Sequence, residues 1–293
     1  MPLTDDEMAA AALGLSGPLE PWLALNTEGD YDDPAVAALL APFPPTAFMQ
    51  RTSSLTERRD FASHGAVMVR ALAEALPKPL NALESILDFG VGAGRLARMF
   101  RGYPGRYAGV DIDAELVAWV ADHLKFVDVH HIGVREKFPF EAGSFEAAIS
   151  ISVFTHMERR DHVFYLRELQ RVIRPGGYAL LTVHGESALA LAEGNPEVRD
   201  MLAMTDAELA EVRAAFTTGD GFRFVPQGAH LVQRGYRYGQ TFANEAFVRR
   251  FYGRYFDVVR IVPGAIHGFQ DIVVLQRPAV VKRSLAGRLF WWR

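Results

Sequence analysis

The chain has 293 residues, 49% hydrophobic and 23% charged, which is enough apolar material for one large domain with additions. Its 31 Lys and Arg against 35 Asp and Glu leave a formal charge of -4, which argues against a broad nucleic-acid footprint. The absence of cysteine excludes disulfides, thiolate nucleophiles, cysteine-ligated zinc and iron–sulfur clusters.

The first fifteen residues are acidic and carry no basic leader, so no secretion signal is expected. No run reaches about 18 uninterrupted apolar residues, so no membrane span is expected either, and a cytoplasmic location is the default reading. Residues 1–80 are punctuated by Pro18, Pro21, Pro34, Pro42, Pro44 and Pro45 and read as a helical extension or lid. Phe61, Ala66, Val69, Leu72, Ala73 and Leu76 recur at helical spacing, predicting a helix from Asp60 to Leu76 that Pro77 and Pro79 close.

From Ser85 the pattern alternates. Strands are predicted at Ile86–Phe89, Tyr107–Val110, Phe126–Val129, Ala147–Val153 and Tyr178–Val183, with helices at Arg95–Phe100, Ala114–Leu124 and Arg160–Ile173. This order predicts a Rossmann-like α/β fold, a parallel sheet with helices on both faces. Residues 187–242 break the rhythm and read as an insertion with two helical pieces, the second from Asp206 to Phe216. A helix at Ala243–Tyr252 and strands at Val258–Val262 and Ile272–Leu275 complete a body spanning 81–277, and 278–293 form a basic, aromatic tail.

The strongest site signal is Asp88-Phe89-Gly90-Val91-Gly92-Ala93-Gly94-Arg95, placed between a strand and a predicted helix. Three glycines allow a tight turn and close approach of a ligand, and the start of a helix favours an anion by ~0.3–1 kcal/mol. Dinucleotide sites use G-x-G-x-x-G, whereas here the third glycine comes two residues after the second. Asp111 ends the next strand about 20 residues on, where an acid can take ribose hydroxyls. Asp113 suits the N-cap of the following helix.

The G-x-G-x-G loop with its preceding acid resembles motif I of class I S-adenosylmethionine (SAM) methyltransferases. The stretch Phe138–Glu146 (FPFEAGSFE) and the turn Arg171–Gly177 (RVIRPGG) are similar to the segments before the fourth and fifth strands of that family. Together these motifs cover about residues 85–185. The strings Ser152–Met157 (SVFTHM), Leu181–Gly185 and HGFQDIVVLQRP look like a bacterial subgroup of methyltransferase-like proteins. The resemblance implies SAM as cofactor and a seven-stranded sheet with an antiparallel final hairpin. It also implies cofactor contacts from Asp88, Gly90, Gly92, Gly94, Asp111, Ile112 and Ser152. One departure stands out: His131-Ile132-Gly133-Val134-Arg135 offers no acid or amide where the family meets the adenine amino group.

Methyl transfer from a sulfonium is an in-line displacement, so the protein mainly aligns the partners and excludes water. A high-pKa acceptor also needs a base, a role that suits histidine. His156, His184 and His267 fall at the carboxyl edge of the sheet, where open α/β sheets bind ligands. They are the candidate catalytic residues, with His184 placed first because a strand end is rigid. Gln270 and Asp271 could orient one of them. Packing or capping explains each histidine as well. No close-spaced ligand pair suggests a metal, and none is expected.

Arg51, in the segment before the long helix, could pair with a carboxylate of cofactor or substrate. Arg234-Gly235-Tyr236-Arg237-Tyr238 could line an acceptor pocket or form a strand surface. The Asp/Asn-Pro-Pro-aromatic tetrad of base-amino methylation is absent, with Ser-Val-Phe-Thr in its place. The sequence therefore predicts methyl transfer to oxygen or nitrogen of a small metabolite, sugar or glycan, with no nucleic-acid partner. Two rival readings are a SAM-binding protein without catalysis and an NAD-dependent oxidoreductase, the latter disfavoured by the glycine spacing. The tail could rest on a membrane surface or a partner, but packing of Leu285, Leu289 and Trp292 is the favoured explanation.

Overall fold

The computed structural model describes residues 4–228 and 237–279. Residues 234–236 of the cation–aromatic stretch and the basic segment 282–293 lie outside the described residues.

The N-terminal region folds into five helices: α1 (Asp5–Ala11), α2 (Leu19–Glu28), α3 (Pro34–Leu39), α4 (Thr46–Ser53) and α5 (Arg58–Ala75). Its prolines mark helix starts. Pro34 opens α3 directly after Asp33, whose carboxylate accepts a hydrogen bond from Ala35 N at 2.8 Å. The predicted long helix is α5, with Phe61, Ala62, Ala66, Val69 and Leu72 buried along one stripe. In α2, Trp22 is fully buried and donates from Nε1 to Met99 O at 2.8 Å, fastening the extension to the domain behind it.

The alternating part follows as β1 (Ser85–Phe89), β2 (Arg106–Asp111), α6 (Ala114–His123), β3 (Val127–His131), β4 (Phe145–Ser150), α7 (Arg159–Val172) and β5 (Ile173–Val183). After it come α8 (Glu186–Gly194), α9 (Pro196–Met201), α10 (Asp206–Thr217), β6 (Phe222–Pro226), β7 (Gly239–Ala243), α11 (Glu245–Tyr252), β8 (Asp257–Ile266) and β9 (Gln270–Gln276). Seven strands form one sheet in the order β3-β2-β1-β4-β5-β9-β8. The five strands β1 to β5 run parallel, and β9 is antiparallel to both β5 and β8. The expected Rossmann-like sheet with a final antiparallel hairpin is thus present.

Burial on both faces explains the continuous apolar strands. Ile86, Ala147, Ile149, Leu180 and Val274 join the core under α5, while Leu87, Ala148, Leu181 and Val273 join the core under α7 and α11. Adjacent residues therefore feed opposite cores, the period of two expected of a strand.

Three expectations about elements need correction. The predicted helix Arg95–Phe100 is a turn followed by a single 3-10 turn, Ala97–Phe100. Arg101 leaves helical geometry and Gly102 takes φ +77°, with Pro104 close behind, so no helix propagates. The insertion holds three helices rather than two, because Asn195 caps a new helix that begins at Pro196. It also contributes the two-stranded β6–β7 ribbon. Lastly, the Pro175-Gly176-Gly177 turn is absorbed into a continuous β5 with a register irregularity opposite Phe145–Ala147. No helix among the described residues is long and apolar enough to cross a membrane.

Candidate active site

The carboxyl ends of β1, β2 and β4 frame a cavity of about 260 Å³. The chain leaves β1 at Phe89 and turns at once. Gly90 N and Val91 N donate to Val110 O at 2.8 and 3.2 Å, and Gly94 N donates to Val91 O at 2.9 Å. All three glycines have positive φ, at +89°, +52° and +78° for Gly90, Gly92 and Gly94. Their surroundings differ. A Cβ at Gly90 would meet Val153 Cγ2 at 2.3 Å, and one at Gly94 would meet Leu124 Cδ1 at 2.7 Å. At Gly92 the nearest atom is Thr52 Cγ2 at 3.5 Å, so this backbone is open to the cavity.

Asp111 closes the cradle from β2. Its Oδ2 accepts from Gly92 N at 2.8 Å and its Oδ1 from Asp113 N at 2.9 Å. A carboxylate has about four acceptor sites, so capacity remains for ligand hydroxyls. Burial raises the Asp111 pKa, and the backbone N–H groups of Asp113 and Gly92 oppose that rise. Asp88 is more deeply set. It is 2% exposed, accepts from Tyr107 Oη at 2.8 Å, and has its pKa pushed up to about 7 by burial. Asp113 caps α6 as expected, accepting from Glu115 N and Leu116 N.

Arg51, on α4, lines the cavity mouth. Its guanidinium reaches across to α6, 2.7 Å from Glu115 and 3.3 Å from Asp113, and lies over the Phe48 ring. The charge that the sequence assigned to a cofactor or substrate carboxylate is thus directed at two acids of the protein. It clasps the N-terminal extension to the start of α6, beside Asp111.

At the far end the wall is made of Ile151, Ser152, Val153, His156, Met157 and Tyr238. Ser152 has φ +58°, sparsely populated for a serine, and is held by Thr182 Oγ1 at 2.7 Å on its N–H and by Gln270 Nε2 at 2.9 Å on its hydroxyl. His156 sits on a 3-10 turn, Phe154–His156, with Nδ1 3.0 Å from Gly239 O and its ring stacked on Tyr238 at 4.7 Å. Since the carbonyl accepts, Nδ1 carries the proton and Nε2 the lone pair. Burial pushes the His156 pKa down to about 4.

The structure separates the three histidines. His184 is 2% exposed and outside the cavity lining, caged by Phe242 and Phe269 at 5.3 and 4.9 Å and edge-on to His156 at 6.2 Å. Burial holds its pKa well below the usual value. His267 is at the exposed tip between β8 and β9, packed on His64 at 4.3 Å, and also outside the lining. Asp271 accepts from Gly264 N at 2.8 Å within the hairpin instead of orienting a histidine. Among the described residues, no group of three potential ligands is placed to hold a metal.

Residues 87–181, from β1 to the last part of β5, match the family model described as "Methyltransferase domain". This stretch of the chain is thus similar to a methyltransferase domain. A fatty-acid O-methyltransferase of Mycolicibacterium smegmatis is 32% identical over 111 residues, 38% of this chain and 39% of that protein. A probable 18S rRNA (guanine-N(7))-methyltransferase of Dictyostelium discoideum is 30% identical over 124 residues, 39% and 42% of the two chains. The chain thus spans about two fifths of the length of these relatives. The crystal structure of a Pyrococcus horikoshii OT3 protein shares the fold, with TM-score 0.51, 16% identity, and coverage of 78% of this chain and 96% of that one.

The residues present fit the cofactor such a domain uses: backbone lies bare at Gly92 and Asp111 keeps acceptor capacity. Of the expected cofactor residues, Arg51, Asp88, Gly90, Gly92, Asp111, Ile112 and Ser152 line the cavity, while Gly94 instead packs the loop onto α6. Sequence reasoning missed Tyr165, whose hydroxyl accepts from Arg135 N at 3.0 Å, together with Thr52, Met68 and Arg95. Tyr165 falls on the apolar face of α7 and reads as core. Arg95 directly follows the loop, a signal that was open to reading.

Proposed function

We propose that this chain uses SAM to methylate an oxygen or nitrogen of a small-molecule or glycan acceptor, with His156 as the proton acceptor. The observation that carries the reading is the pairing of the bare Gly92 backbone with the Asp111 carboxylate at one end of a cavity whose other end presents His156. When bound, SAM supplies an electrophilic methyl group on a sulfonium, displaced in line by the acceptor.

The protein's own residues do the rest. Asp111 and the Gly90–Gly94 loop hold the nucleoside, and Ile112, Val134 and Tyr165 line the cavity beside it. Ser152, locked by Thr182 and Gln270, shapes the wall between the two ends. His156, fixed by Gly239 O and Tyr238, takes the acceptor proton at Nε2. Of the three candidate histidines, only this one lines the cavity, whereas His184 supports it from behind. The formal charge of -4 favours a small acceptor over a nucleic acid.

The test is turnover with methyl-tritiated SAM across a panel of small acids, alcohols, amines and sugars. We expect one acceptor class to be labelled, and His156→Asn to lower kcat about a hundredfold with SAM affinity kept. A His184→Asn variant should lose far less. If His156→Asn turned over at the wild-type rate, the assignment of the base would be lost. If SAM bound but no acceptor were labelled, the non-catalytic reading would replace this one.

A further inference from the structure

Beyond the glycine loop and Asp111, the cavity is walled by Met68 from α5, by Leu96, Ile151, Val153 and Met157, and by the stacked rings of His156 and Tyr238. Met68, Leu96 and Met157 are buried, and Ile151 and Val153 are half-buried. Two methionines make an adaptable apolar surface, and their sulfurs favour the edges of aromatic rings. Polar side chains nearby are already engaged. The Ser152 hydroxyl and the Gln270 amide bond to one another, Thr52 Oγ1 donates to Phe48 O at 2.8 Å, and Arg51 pairs with Asp113 and Glu115. Arg95 lines the same wall but can only donate. Among the described residues, the side-chain acceptors at this end are therefore His156 Nε2 and the Tyr238 hydroxyl. A sugar buried here would leave several O–H groups unpaired, each at a loss of roughly tenfold in affinity. The cavity of about 260 Å³ also lies below the roughly 300–1,000 Å³ usual for ligand sites, which selects a compact acceptor.

We propose that the acceptor is a small phenol, one aromatic ring held against Met68, Ile151 and Met157 with a single hydroxyl directed at His156. This rests on the methyl-transfer reading above and narrows its acceptor. The phenolic oxygen forms the new bond to the methyl carbon as the carbon–sulfur bond breaks, its electron pair staying on sulfur, and the phenolic proton passes to His156 Nε2. Burial, which pushes the His156 pKa down to about 4, makes it a weak base. Such a base is better matched to a phenolic proton, with a pKa of about 10, than to the far less acidic proton of an alkanol or sugar.

Binding and turnover are read separately on the full chain. Calorimetry, with and without S-adenosylhomocysteine, uses p-cresol, 4-methylcyclohexanol (its saturated counterpart) and methyl glucoside, and transfer of tritium from labelled SAM is followed for the same three. We expect p-cresol to bind at least about tenfold more tightly than the glucoside and to be labelled roughly a hundredfold faster than the saturated alcohol. Ile151→Trp, which fills the apolar wall, should weaken p-cresol about tenfold while S-adenosylhomocysteine binds as before. Met157→Gln puts an amide into the same wall and should act in the same direction, which keeps the test open if the tryptophan variant does not fold. The proposal is overturned if the glucoside binds as tightly as p-cresol, if the saturated alcohol is labelled as fast, or if p-cresol binding is unchanged in a variant that melts normally. Labelling of an acid or an amine but not of p-cresol overturns it too, with methyl transfer intact. Protein that held p-cresol at this wall but took up no S-adenosylhomocysteine would instead defeat the methyl-transfer reading and leave the aromatic-binding wall standing.

Discussion

At the glycine end of the cavity nearly every polar contact comes from two neighbouring parallel strands and the loops that leave them, residues 88–95 and 110–113. At the histidine end the contacts converge from Ser152 after β4, Thr182 in β5, Gly239 in β7 and Gln270 in β9, segments up to 118 residues apart. The first end is made mostly of backbone, and the second of side chains that depend on tertiary packing. The difference teaches where a short motif suffices and where it does not.

The largest expected effect is at the backbone-built end. Asp111→Ala removes a charged acceptor for ligand hydroxyls and for Gly92 N, so affinity for S-adenosylhomocysteine should fall roughly a thousandfold, from two charged hydrogen bonds of ~1.5–3 kcal/mol each. Calorimetry checks it, and a loss below tenfold would break the claim that this acid grips the ligand. Next comes Gly92→Ala. The φ of +52° strains any L side chain by ~1–2 kcal/mol, and the new methyl projects toward the cavity, so affinity should drop tenfold or more. Unchanged binding would show that the cradle is not where the ligand passes.

The histidine end should be the acid-sensitive one. His162, buried beneath the Phe154–His156 turn, is 3.0 Å from Phe154 O through Nε2 and 3.0 Å from Tyr252 Oη through Nδ1. Burial pushes its pKa down to about 3 from an ordinary 6.5. The unfolded chain therefore takes up a proton that the folded one refuses, and stability falls as pH drops below about 6.5 toward 3. Above 6.5 His162 contributes no pH dependence. The slope is about 1.4 kcal/mol per pH unit. Asp88, raised to about 7, acts in the opposite sense, losing stability as pH rises from its unfolded value. Urea midpoints of wild type minus those of His162→Phe isolate the histidine, and parallel curves from pH 7 to 5 would refute the assignment. The smallest effect is expected at the mouth. Arg51→Ala breaks a partly exposed pair worth at most about 1 kcal/mol, so ligand exchange should quicken a few-fold by stopped flow with equilibrium affinity barely moved.

Much of the sheet was legible because each buried strand is a short run of apolar residues bounded by turns, and the glycine spacing singled out its loop. The helix expected after that loop was not, because Arg101, Gly102 and Pro104 stop it after one turn. Other recognisable motifs carry the fold more than the site. Phe138 and Phe140 are core residues, and Arg171 ties their carbonyls at 3.0 and 2.7 Å to the last turn of α7. The histidines at the strand ends were indistinguishable in sequence. What sorts them is the β6–β7 ribbon from the insertion, which brings Gly239 and Tyr238 to His156 and Phe242 over His184. No local pattern announces that packing.

The most direct test of the central claim is a calorimetric titration of the wild-type chain with SAM, S-adenosylhomocysteine and NAD in parallel. The structure leads us to expect saturable binding of the first two, one per chain, and none of NAD. Saturation by NAD with no heat from either adenosyl compound would contradict the account.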